Sequence, residues 1–230
     1  MQPLRLSSNA SAQRPAPSAR WVLAAAIALI GIAGCSSVYY SALESLGIEK
    51  REILVDRVDD ARDAQTEAKE QFASALEQYR SVVSVDAAEL ESFYDRMNRE
   101  FERSEDRARA VSERIEAVES VAEDLFEEWT DELGQYTDPA LRRRSERLLG
   151  DTRRQYEQLI AAMHRAEGAM DPVLALFRDQ VLVLRHSLNA RAIGALENEL
   201  ADIERATAAL IAEMQRAIDE ASAFIDAMES

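Results

Sequence analysis

Apolar residues recur at alternating spacings of three and four along most of this 230-residue chain. One such seam runs from Leu54 to Val82 with a polar interruption at Gln65, and a second runs from Leu90 to Trp129. This spacing places the apolar side chains on one face of a helix, as in a coiled coil. Because no stretch of the sequence alternates with a period of two, the pattern predicts an all-α protein.

Two Asp-Pro pairs, Asp138-Pro139 and Asp171-Pro172, hold all the prolines that follow residue 34. Asp is favoured at a helix N-cap and Pro at the first helical position, so each pair predicts a helix start. A third helix is therefore expected from Pro139 to about Gly168. Its expected seam consists of Leu141, Ser145, Leu148, Thr152, Gln155, Leu159, Ala162 and Ala166.

The most regular seam runs from Ile193 to Met228 and predicts the last helix. The segments together predict an elongated antiparallel bundle, or coiled coil, of about five helices over residues 48–230. One sequence leaves open whether the seams close within one chain or between copies.

Residues 1–34 have the organisation of a secretory signal peptide. Arg5, Arg14 and Arg20, with no acid among them, precede an apolar run that ends at Ala33. At about 13 residues, or roughly 20 Å of helix, the run is too short for a hydrocarbon core of about 30 Å. We therefore expect this segment to be cleaved rather than to remain as a membrane span.

The apolar run ends in Ile32-Ala33-Gly34-Cys35, which contains the chain's single cysteine and resembles the lipobox of bacterial lipoproteins. The resemblance implies cleavage before Cys35 and acylation of that residue, so that acyl chains hold the protein at a membrane. Ser36 follows, rather than the Asp that resembles an inner-membrane retention signal. We expect an outer-membrane anchor that faces the periplasm, with the inner membrane as the alternative.

Residues 35–47 form the expected lipidated N-terminus and a short membrane-proximal segment, because Gly47 is the first helix breaker after the cysteine. Tyr39 and Tyr40 in this segment fit two interpretations. They could lie in the lipid headgroup layer, as aromatic belts do, or pack on the helical domain.

The formal net charge of −16 disfavours nucleic acid as a partner, since nucleic-acid binding needs a basic footprint. The third helix departs from this acidic background, because Arg142, Arg143 and Arg144 begin an arginine-rich stretch. These arginines either pair with acids of the second helix or form a site for lipid or a partner.

Residues 172–189 are apolar around most of the predicted helix, but polar residues interrupt them too often for a membrane span. Such a helix is either the most buried part of a bundle or an interface with another chain. Phe177, Val181 and Val183 are therefore candidate interaction residues, together with the three arginines.

The sequence offers no pattern of catalytic or cofactor-binding residues. The glycines after residue 35 lack the spacing of a phosphate-binding loop, which argues against nucleotide binding. His164 and His186 lie far apart without a cysteine partner, which argues against a transition-metal site. Neither a nucleophile elbow nor a matched carboxylate pair is evident, so we expect a protein without enzymatic activity or cofactor.

Three runs of sequence carry a family resemblance: KREILVDRVDDARDAQTEAKEQFASALEQY at 50–79, AEDLFEEWTDEL at 122–133 and DPVLALFRDQVLVLRHSLNARAI at 171–193. They resemble the bacterial lipoprotein family catalogued as domain of unknown function 2959. The resemblance implies a helical lipoprotein and, because that family has no established activity, no mechanism.

The expected function is therefore that of an envelope lipoprotein, a periplasm-facing helical scaffold or adaptor that acts by protein–protein contact or self-association. The alternative is a lipid-contacting or membrane-organising bundle that uses the arginine-rich 139–167 helix.

Overall fold

The computed structural model describes residues 50–85, 87–186 and 190–229, and the statements below concern these residues. Four long α-helices follow one another: α1 (Lys50–Arg80), α2 (Leu90–Glu132), α3 (Pro139–His186) and α4 (Ala190–Glu229). Short 3₁₀ turns at Ser81–Ser84 and Ala87–Glu89 separate α1 from α2, and another at Leu133–Gln135 follows α2. The described residues contain no strand, so the all-α prediction is confirmed, with four long helices rather than about five.

The four helices pack as a ring in which α1 contacts α2, α2 contacts α3, α3 contacts α4 and α4 contacts α1. Neighbouring helices run antiparallel. The start of α1 lies beside the end of α2, where Lys50 Nζ is 2.8 Å from a carboxylate oxygen of Glu128. At the other end of α1, the Tyr79 hydroxyl donates a hydrogen bond of 2.9 Å to the carbonyl oxygen of Leu196 in α4. The ring is thereby closed within one chain.

The seams of α1 and α4 form much of the core between the helices. Every position of the first seam, from Leu54 in α1 to Val82 in the 3₁₀ turn after it, is buried, and so is every seam position of α4 from Ile203 to Met228. Burial of one large apolar side chain stabilises a fold by about 1.5–3 kcal/mol, so these stripes supply the main driving force for packing. In the described chain, the seams are filled by side chains of the same molecule.

α3 is one continuous helix of 48 residues that passes through Pro172. The prediction of one helix ending near Gly168 and another starting at Asp171-Pro172 is therefore wrong. Gly168 and Pro172 are both exposed, so water can reach the Gly168 carbonyl that the proline nitrogen cannot bond. The inner face keeps its spacing across the proline and is buried at Leu159, Met163, Ala166, Met170, Val173 and Phe177.

In the first half of α3 the predicted seam is buried at Thr152, Leu159 and Ala162, but the inward positions differ elsewhere. Leu149 is only 7% exposed, whereas its neighbour Leu148 is 47% exposed. A seam tolerates steps of either three or four residues, so adjacent leucines are ambiguous in the sequence. Of the predicted seam positions, the exposed ones are Leu141, Leu148 and Gln155.

The Asp138-Pro139 pair begins a helix as predicted. The Asp138 carboxylate accepts a hydrogen bond of 2.7 Å from the backbone N–H of Ala140. Its carbonyl accepts one of 3.0 Å from the N–H of Arg142. Both bonds satisfy N–H groups that would otherwise lack a partner in the first turn of α3.

Candidate interaction surfaces

The predicted lipidation site, Cys35, lies outside the described residues, as do the expected signal peptide at 1–34 and the membrane-proximal segment at 35–47. The described chain begins at Lys50, in the first turn of α1. The structure therefore describes the first turn of α1 but not the segments to which these predictions refer.

Two of the candidate interaction residues, Phe177 and Val181, belong to the core. They are 1% and 6% exposed, and the Phe177 ring stacks on Phe72 of α1 with ring centroids 6.3 Å apart. Burial rather than a partner interface is thus the correct interpretation at these two positions. Their apolar surface is already covered by this chain.

The outward side of the same segment is less apolar than its sequence suggested. Val183 is half-buried, while Leu182 is 41% exposed. Leu182, which the sequence did not single out, is therefore the large apolar side chain that this part of α3 offers to another molecule. Its exposure follows from its position next to, rather than on, the buried stripe that contains Val181 and Leu184.

The turn from α2 to α3 projects past the ends of α1 and α4. Arg51 near the start of α1 donates a hydrogen bond to the Met228 carbonyl near the end of α4, so these two helix ends are level. Residues 133–148, called here the α2–α3 tip, follow the last turn of α2 at this end of the bundle. From Gly134 to Leu148 every residue except Ser145 is exposed.

A hydrogen bond between α2 and α3 holds the tip to the bundle. Trp129 Nε1 in the last turn of α2 donates to Ser145 Oγ of α3 at 2.9 Å. With the Asp138 cap, this bond orders the first turns of α3, although α1 and α4 do not cover them. The tip is therefore a folded surface on which side-chain positions are defined.

Arg142, Arg143 and Arg144 lie on this tip and are all exposed. Arg142 pairs with Glu146 on its own helix, with Nε 2.9 Å from the carboxylate. No acid among the described residues pairs with Arg143 or Arg144. The interpretation that the arginines of α3 pair with acids of α2 is wrong for the described residues, because the α2 acids that form ion pairs do so with Lys50 of α1, with His164 of α3 or with arginines of α2 itself. Examples are Glu100 with Arg103 and Asp106 with Arg109.

Large apolar side chains are interspersed with the tip arginines. Tyr136 is 40% exposed, Leu141 51% and Leu148 47%. Single exposed leucines are ordinary on a protein surface, but these three lie within one short segment beside several guanidinium groups. The tip is therefore both cationic and apolar, unlike the acidic sides of the bundle.

A second polar cluster joins α2 to α3 and was not anticipated from the sequence. His164 of α3 lies 2.9 Å from Glu119 of α2 through Nε2 and 2.9 Å from Glu167 of α3 through Nδ1. Glu167 also has a hydrogen bond with Ser112 of α2. The three-residue spacing of His164 and Glu167 is visible in the sequence, but the register that brings Glu119 to them is not.

The hydrogen bond with Glu119, followed by that with Glu167, raises the pKa of His164 above its usual value. Burial alone would raise the pKa of Glu167, yet its hydrogen bonds with Ser112 and His164 lower it. Each charged form therefore favours the other, and protonation of His164 would place an imidazolium ion between two carboxylates on two helices. This arrangement can respond to a proton.

A groove of about 470 Å³ lies beside this cluster, between α2 and α3. It is lined by small residues such as Ala108, Ser112 and Gly168, which leave space between the helices. The described residues contain no group of His, Cys, Asp or Glu that could hold a metal ion. Among them there is also no helix long and apolar enough to cross a membrane.

Comparison with known proteins gives one family. No curated protein matches the chain. The model of a family described as protein of unknown function (DUF2959) matches residues 39–228, which include α1, α2, α3 and all of α4 except its last residue. The chain therefore belongs to this family, in agreement with the resemblance of its three sequence runs.

Proposed function

We propose that this protein is an envelope lipoprotein, anchored at the outer membrane through Cys35, that acts as a helical scaffold or adaptor by protein contact rather than by catalysis. The observation that carries the proposal is the position of the only cysteine, directly after an apolar run and two small residues. Each buried methylene of an acyl chain contributes about 0.8 kcal/mol, so two or three chains hold a protein stably at a bilayer.

The contact surfaces of such a scaffold lie on the outside of the bundle. The seams are filled by the chain itself, and Phe177 and Val181 are unavailable to a partner. Among the described residues, large apolar side chains remain exposed at Leu182 and on the α2–α3 tip. A partner protein, or a second copy of this chain, would gain apolar contact at Leu182 without opening the core.

The anchor is tested by a single substitution. Cys35→Ser removes the thiol that receives the diacylglyceryl group, so we expect loss of fatty-acid labelling in cells and a change in membrane fractionation. Ser36→Ala, a change at the next residue that keeps the thiol, is the matched control and should label as the wild type does. Unchanged labelling and fractionation of Cys35→Ser would contradict the proposal.

Contact is tested by a photoreactive amino acid incorporated at Leu182 in living cells. A scaffold should give a discrete crosslinked band, to a partner or to another copy, that mass spectrometry identifies. The same amino acid at Ala209, an exposed position in the middle of α4, controls for random collisions. Identical, diffuse products from both positions would count against contact through this face of α3.

A further inference from the structure

We propose that the α2–α3 tip is a second, non-covalent membrane contact, which rests on the phosphate headgroups of an anionic phospholipid bilayer. The proposal rests on the proposed function, because the acyl anchor on Cys35 is what brings the protein to the membrane. It adds a surface and a lipid class to that function. The occupant of the exposed tip is then the bilayer itself.

The chain enters the bundle at the end that carries the tip. Lys50 Nζ, in the first turn of α1, lies 2.8 Å from Glu128. Glu128 precedes Trp129, whose indole N–H donates to Ser145 of the tip. The start of α1 and the tip therefore lie at the same end of the four-helix bundle.

The tip differs in charge from the rest of the chain. Residues 133–148 carry four arginines against two acids, in a chain whose formal net charge is −16. Of these acids, Asp138 caps α3 and Glu146 is paired with Arg142. Asp131 and Glu132 are exposed in the last turn of α2, so the attraction to an anionic surface comes from the arginine-bearing face of α3 rather than from the whole end of the bundle.

The side chains at the start of α3 combine leucines and arginines on one face. Leu141, Arg144 and Leu148 follow one another at steps of three and four residues, so they share one face of the helix. Arg143 and Arg147 adjoin this face, and no acid among the described residues pairs with either of them. Guanidinium groups bind phosphate oxygens in a bidentate manner, and the leucines can enter the boundary with the acyl chains.

The test uses the mature, acylated protein in vesicles and measures the tip separately from the anchor. Ala140 is exposed on the tip and precedes Arg143 and Arg144 by three and four residues. In an Ala140→Cys variant the new thiol is free for a spin label, since Cys35 is acylated. Ala88→Cys, exposed in the turn between α1 and α2 at the other end of the bundle, is the matched label position.

The readout is the accessibility of the label to oxygen relative to a water-soluble nickel chelate. In vesicles of phosphatidylcholine with phosphatidylglycerol, we expect this ratio to rise several-fold at position 140 and not at position 88. The rise should be absent in phosphatidylcholine alone. It should also fall in about 1 M salt, where the Debye length shortens from about 10 Å to about 3 Å.

A second part of the vesicle experiment replaces the unpaired arginines. The triple change Arg143→Glu, Arg144→Glu and Arg147→Glu should return the label at position 140 to water while the protein still floats with the vesicles. The same charge reversal at Arg103, Arg109 and Arg205, which are exposed on α2 and α4, should leave the label immersed.

The outcomes separate the two proposals. A protein that floats with vesicles but keeps the position 140 label in water on anionic lipid overturns the tip contact and leaves the anchor intact. A mature protein that does not float overturns both, because the tip contact depends on the anchor. A label that is immersed equally in neutral vesicles overturns the assignment of anionic headgroups as the ligand.

Discussion

Gln65 places a side-chain amide in the apolar seam of α1. The residue is fully buried, and neither its amide nitrogen nor its oxygen has a hydrogen-bond partner among the described residues. An unpaired buried polar group costs about 1–3 kcal/mol. We expect Gln65→Met, which keeps the length of the side chain, to raise the free energy of unfolding by about that amount in urea denaturation.

A second glutamine of α1 supplies the matched control for this change. Gln71 Nε2 donates to the Glu100 carboxylate at 2.7 Å and to the Glu100 carbonyl at 3.3 Å. Gln71→Met removes both bonds and should lower the free energy of unfolding. If both methionine variants changed stability in the same direction, an unpaired amide at position 65 would not be a source of instability.

His164 is expected to make stability depend on pH near neutrality. Its folded-state pKa is raised above the usual 6.5, so its contribution is fully present below about pH 6.5 and is lost as pH rises through the raised value. The cluster is half exposed, which limits the contribution to roughly 0.2–1 kcal/mol. Denaturation of the wild type and of His164→Gln across pH 5.5–9 should therefore converge at the alkaline end.

The acceptor on α2 can be tested against a neighbour on the same helix. Glu119→Gln removes the first partner of His164 and should flatten the pH profile in the same way. Glu116→Gln removes an exposed charge three residues earlier and should retain the wild-type shape. A His164→Gln variant whose stability differs from the wild type by a constant amount at every pH would show that the pair contributes nothing through titration.

Within α3, burial of a continuous apolar stripe outweighs the helix-breaking effect of Pro172. Proline inside a helix costs about 3 kcal/mol, chiefly through the lost hydrogen bond and the clash with the preceding turn. Pro172→Ala is therefore expected to stabilise the protein by up to about 3 kcal/mol. Thermal unfolding followed by circular dichroism would report this as a clear rise in Tm.

Pro139→Ala is the control for Pro172→Ala, because Pro139 occupies the first helical position of α3. Its missing N–H would have had no helical partner, so Pro139→Ala should leave stability almost unchanged. Equal effects of the two substitutions would mean that the solvent-exposed position of Pro172 already relieves the usual cost.

The helices themselves were largely predictable, because burial follows the spacing of three and four that the sequence displays. The errors arose where a local pattern competed with that spacing. The Asp171-Pro172 pair has the composition of a helix start, yet Met170 and Val173 on either side continue one buried stripe. The inward positions that begin at Leu149 rather than Leu148 continue through Ala166, Met170 and Val173 as one unbroken stripe.

At the scale of the whole bundle, what the sequence could not supply was the relation between helices. Glu119 and His164 are 45 residues apart, and only the antiparallel register of α2 and α3 brings them together. The exposure of Leu141 and Leu148 likewise depends on where α1 begins and α4 ends. Periodicity predicts which face of a helix is buried, but it does not predict which turns of that face are covered by a neighbouring helix.

The closed ring of four helices leads to a prediction about association. Because the seams of α1 and α4 are filled within one chain, the bundle should unfold as a single unit whose Tm does not depend on protein concentration. We expect one Tm across roughly a hundredfold range of concentration for the chain from residue 36 onward, measured without the acyl group.

Phe224→Ala is the internal comparison, since it removes a core side chain that is only 3% exposed. The variant should lower the free energy of unfolding by about 3–5 kcal/mol, and its lower Tm should be equally independent of concentration. A Tm that rises with concentration in either protein would mean that the seams close between copies instead. Helix pairs such as α1 and α4 would then belong to different chains.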